Sequence, residues 1–84
     1  MVFYLILCKS LTYAQRTARV LERGNVGGYI MRTPQKIAIN GCGYCVKVSE
    51  RHISRALVLL KEHDLSPKQV FVHNEHDAYE EVSV

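Results

Sequence analysis

Val2 to Cys8 is apolar at every position, with Tyr4 and Ile6 on one alternating face and Phe3, Leu5 and Leu7 on the other. A strand with two apolar faces needs cover on both sides, so it belongs at the centre of a sheet rather than at its edge. The run has no basic stretch before it, reaches Lys9 too soon for a leader core, and falls far short of the ~20 residues of a membrane span. It therefore predicts a strand of a cytoplasmic protein, with no targeting segment and no membrane association. With 84 residues in all, there is room for one small domain built on one core.

The rest of the chain reads as elements that could cover such a strand. Ser10 or Thr12 can cap a helix whose Ala14, Ala18 and Leu21 recur at helical spacing with Arg16, Arg19 and Glu22 outside, and Gly24-Asn25 stops it. Gly27-Gly28 leads into a second strand, Tyr29 to Thr33, closed by Pro34. An irregular segment from Gln35 to Gly43 precedes a third strand, in which Tyr44, Val46 and Val48 alternate with Cys45 and Lys47. Ser49 is the expected cap of a second helix carrying Ile53, Ala56, Leu57 and Leu60 on one stripe and ending near Asp64; after Ser66-Pro67 comes a fourth strand, Gln69 to His73. The order βαββαβ predicts an α+β, ferredoxin-like two-layer sandwich, with two helices on one face of a four-stranded antiparallel sheet. Residues 1–74 form the expected domain, and 75–84 an acidic, flexible tail.

Charge is unevenly spread. Glu75, Asp77, Glu80 and Glu81 lie in the final segment without a Lys or Arg, so all eleven basic residues stand earlier, against four of the eight acidic ones. A basic body favours anionic partners or an acidic protein face, although most of Arg16, Arg19, Arg23, Arg51 and Arg55 fit the solvated sides of two helices.

Chemistry concentrates in Gly41-Cys42-Gly43-Tyr44-Cys45, a CxxC set in glycines in a chain with one other cysteine, Cys8. Such a pair can be a nucleophile, a redox couple or a soft-metal ligand set. In the expected topology the end of strand one, the start of helix one and the connection between strands two and three share one rim of the sheet. Cys8, Lys9, Ser10, Pro34, Lys36 and the Gly41 to Cys45 loop should meet there. Helix N-terminal amides and two lysines would favour a thiolate, and Gly41 and Gly43 would let backbone N–H groups approach it through positive φ or act as plain turn residues.

The apolar first strand, the helix containing Ala14, the strand ending at Thr33-Pro34 and Cys42-Gly43 opening the third strand together resemble a family of small bacterial proteins described as selenium or sulfur carriers. That resemblance implies a ferredoxin-like fold and makes Cys42 the thiol that would hold sulfur or selenium, as a persulfide or selenopersulfide, between donor and acceptor proteins. Such a chain is a carrier more than an enzyme and needs no cofactor. Cys45 departs from the family pattern and is a possible resolving thiol.

Other readings stay open beside it. One CxxC is too few ligands for closed zinc, whereas Cys42 and Cys45 could take Cu(I); His73 and His76 form an HxxH near the end, a pattern more often solvated than metal-bound. A binding module for RNA or a small ligand could use Tyr29, Tyr44 and Phe71 as a stacking surface, but there is no basic-aromatic RNP1-like run and nucleic acid is disfavoured. The second apolar face of strand one calls for cover, which a homodimer through the open sheet face would supply.

Overall fold

A computed structural model describes residues 2–38 and 43–83. The elements are β1 (Phe3–Cys8), α1 (Leu11–Arg23), β2 (Tyr29–Arg32), β3 (Tyr44–Ser49), a 3-10 turn (Glu50–His52), α2 (Ile53–Glu62), β4 (Val70–His73) and β5 (Tyr79–Val82). One antiparallel sheet runs β2-β3-β1-β4-β5, so β1 lies at its centre, as its two apolar faces require. The sheet has five strands, not the expected four. The fifth comes from the acidic C-terminal segment, where Glu81 stands opposite Phe71 and Tyr79 opposite His73. A tight turn makes this hairpin: Asn74 Oδ1 accepts from the amides of His76 and Ala78, and Asp77 takes φ 60°.

Both helices pack on the same face. Ile6 and Cys8 of β1, Val46 and Val48 of β3 and Val70 of β4 form one core with Ala14 and Leu21 of α1 and Ile53, Ala56 and Leu60 of α2. Ser10 is extended, at φ −155°, and its Oγ accepts the Tyr13 amide at 3.1 Å; of the two candidate caps, it is the one used. The inward row of α1 is Ala14, Thr17 and Leu21, so Thr17 takes a place expected of Ala18. Ser49 does not cap the second helix as expected: its hydroxyl meets His52 Nδ1 at 3.1 Å, and a 3-10 turn begins the element. Both helices end on a residue in left-handed backbone, Asn25 at φ 62° and Asp64 at φ 60°, with the following amides of Val26 and Leu65 bonded back to Leu21 and Leu60 at 2.9 and 2.8 Å.

The opposite face carries a second, smaller core of Leu5, Leu7, Cys45, Phe71 and Ile37, flanked by Phe3, Met31 and Tyr79. Ile37 belongs to no strand. It comes from the connection after β2, where its amide bonds Pro34 O at 3.0 Å, and its side chain is only 4% exposed. The chain thus covers the far side of its own central strand, and burial of this face does not depend on a second copy. No described helix is long and apolar enough to cross a membrane.

Candidate functional site

The register of β1 and β3 builds the site's frame. Cys8 lies opposite Tyr44, which brings the end of β1, the Lys9-Ser10 entry to α1 and the start of β3 to one rim. The Thr33 amide donates to Gly43 O at 3.1 Å, which closes the base of the connection between β2 and β3. Pro34 turns that connection inward, Ile37 anchors it in the second core, and Lys36 between them is exposed. Lys9 places its ammonium 5.3 Å from the centre of the Tyr13 ring. The rim residues Lys9, Ser10, Pro34 and Gly43 therefore share one end of the sheet, with Lys36 on the connection that leaves it. Gly41 and Cys42 lie outside the described residues, joined to Gly43 along the chain.

Of its two expected uses, Gly43 does not take the one that needs positive φ. Its φ is not left-handed, and a Cβ built on it would meet nothing within 4 Å. Among the described residues nothing demands glycine here.

The two described cysteines are buried on opposite faces. Cys8 is 1% exposed in the helix-side core and directs its Sγ at Ile6 O, 3.5 Å away. Cys45 is fully buried among Leu5, Leu7, Ile37 and Phe71. Burial pushes the Cys45 thiol above its ordinary value because a thiolate there would lose its water, and the adjacent Thr33 hydroxyl offsets a little of that rise. By distance and angle the Thr33 Oγ1 meets no hydrogen-bond partner, although the residue is only 8% exposed. We read it as a weak polar neighbour of the sulfur, with its hydroxyl unsatisfied. Among the described residues no three His, Cys, Asp or Glu side chains stand together as a metal site. His73 is no ligand partner of His76: its Nε2 lies 2.6 Å from Asp77 Oδ1, and its ring stacks on Phe3 at 4.5 Å.

A small cavity of about 140 Å³ opens at the same rim, lined by Leu7, Lys9, Tyr13, Pro67, Lys68 and Gln69. Lys68 and Ile37 carry no expected role at the site, and Thr33 is expected only as the end of the second strand and part of the Thr33-Pro34 motif. Lys68 could have been found from topology, because the antiparallel β4 begins where β1 ends. Ile37 had a signal too, as the first residue of the apolar run Ile37-Ala38-Ile39 between Pro34 and Gly41.

These features define a small α+β domain with a cysteine-bearing connection at the cationic end of its sheet. Residues 3–72 match the family described as "Putative Se/S carrier protein-like", and the chain belongs to that family. The match covers β1 through most of β4 and stops before β5. No curated protein and no solved structure matches the chain.

Proposed function

We propose that this protein carries sulfane sulfur or selenium on Cys42 and passes it from a donor protein to an acceptor. The observation that carries the reading is the fate of the other cysteines: Cys8 and Cys45 are each spent inside a core, on opposite faces of the sheet. Cys42 is left as the cysteine for chemistry in a chain of the carrier family. The loading step balances simply. The Cys42 thiolate attacks the outer sulfur of a donor persulfide, the new S–S bond forms as the old one breaks, and the donor cysteine departs as thiolate. Delivery is the same exchange run onto an acceptor nucleophile, with selenium taking the outer position in the selenium case.

The rim supports this chemistry through Lys9, Lys36 and Lys68, whose charge favours thiolate and attracts anionic donors. The Ser10-capped start of α1 adds its positive dipole end. The arrangement of the first four strands, β2-β3-β1-β4 with both helices on one face, supports the ferredoxin-like reading. Cys45 acts as an apolar filler in this account, because a buried, protonated thiol neither attacks a persulfide nor binds Cu(I) readily. A cytoplasmic, reducing setting suits three cysteines used in this way.

The test is intact mass spectrometry of reduced protein after exposure to a small-molecule persulfide donor. The wild type and Cys45→Val should each gain the mass of one sulfur, released again by dithiothreitol, and Cys42→Ser should gain none. Equal loading of Cys42→Ser would overturn the proposal.

A further inference from the structure

A second concavity lies at the opposite rim, where β1 and β2 begin and β3 ends. It measures about 740 Å³ and is lined by Val2, Phe3, Tyr29, Lys47, Ser49, Glu50, Arg51 and His52. Small-molecule pockets commonly fall in the range of ~300–1,000 Å³. Cross-strand pairing sets Tyr29 beside Lys47 on the face away from the helices. Tyr29 is 67% exposed, an unusual state for an aromatic ring on a sheet. The Lys47 ammonium sits 4.4 Å from the centre of the Phe3 ring. Among the described residues the only side-chain ion pair joins His73 and Asp77, so neither Lys47 nor Arg51 is neutralised by a carboxylate.

An exposed ring next to two unneutralised cations, in a cleft of this size, matches a ligand that is aromatic at one end and anionic at the other. We propose that this cleft binds a free nucleoside 5′-monophosphate, with the base against Tyr29 and the phosphate near Lys47 and Arg51. Glu50 is the one acid among the residues that line the cleft. The chain's basic excess outside its final segment draws such an anion in. Nothing in this proposal rests on Cys42, because the cleft and the cysteine-bearing connection occupy opposite ends of the sheet.

Amide chemical-shift titration with adenosine, guanosine, cytidine and uridine 5′-monophosphates tests it on the full chain. Saturable shifts at Tyr29, Lys47, Glu50 and Arg51 are expected, with affinity falling about tenfold or more in Tyr29→Ser, as loss of a stacking ring does. Lys47→Gln should weaken binding as well, while Cys42→Ser should leave it unchanged. Tyr29 is exposed, so its variant should keep the wild-type spectrum elsewhere. Absence of saturable shifts would overturn the proposal. So would equal binding of ribose 5-phosphate, which marks a site for simple anions, or binding of short single-stranded RNA without binding of any mononucleotide.

Discussion

Ile37→Ala removes the anchor that holds the β2–β3 connection on the sheet. The side chain is 4% exposed and packs in the core that contains Leu5, Leu7, Cys45 and Phe71. At about 0.8 kcal/mol per buried carbon, the atoms lost beyond Cβ are worth roughly 2.4 kcal/mol of transfer. A rigid core would add a cavity penalty, taking such changes to ~2–5 kcal/mol. Ile37 sits on a connection that can settle, so the expected loss is about 2–3 kcal/mol. That is a large share of the ~4–13 kcal/mol typical of a chain this long, and at ~4–8 °C per kcal/mol it lowers Tm by about 10 °C or more. Urea unfolding followed by circular dichroism measures the loss. Iodoacetamide labelling under native conditions supplies the second readout, since Cys45 should react faster once Ile37 no longer covers its core. A change below about 0.5 kcal/mol with Cys45 labelling unaltered would refute the reasoning.

Gly28→Ala should cost about 1–2 kcal/mol in the same unfolding assay, because its Cβ would lie 3.0 Å from Val46 Cγ1 and 3.2 Å from Leu21 Cδ1, both in the helix-side core. Gly27→Ala meets nothing and should leave stability unchanged or slightly raised. Truncation after Asn74 removes β5 and the cover of Tyr79 over the second core, and should lower the urea midpoint; an unchanged midpoint would mean that the strand contributes nothing. Burial raises the folded-state pKa of Cys45, so its contribution to stability is fully present below the ordinary thiol value of 9.0 and is lost as pH rises past it, where the unfolded chain ionises first. Cys45→Val should flatten that alkaline decline, and an identical decline in the variant would assign it to other groups.

How far the sequence could be read depended on how local each determinant was. The two-faced β1 and the alternation of Tyr44, Val46 and Val48 against Cys45 state their own burial, and the structure sorts them onto the expected faces. Tyr79-Glu80-Glu81-Val82 carries no such signal: it is an edge strand with two charges, and it becomes a strand only because β4 offers an open ladder and the Asn74 turn reverses the chain. Residue type alone makes Ser49 a helix cap, but His52 three places on competes for its hydroxyl. For the candidate site, the meeting of Lys9, Ser10 and Gly43 followed from topology, whereas the inert state of Cys45 depended on Ile37, a contact made by tertiary packing alone.

The central claim, that Cys42 alone carries the chalcogen, is tested most directly by locating the added sulfur. The reduced protein is loaded from a persulfide donor, blocked by alkylation, digested and sequenced by tandem mass spectrometry. The account predicts an alkylated persulfide on the peptide containing Cys42, with Cys8 and Cys45 carrying no added sulfur. Persulfide mapped to Cys45, or spread equally over the cysteines, would contradict it.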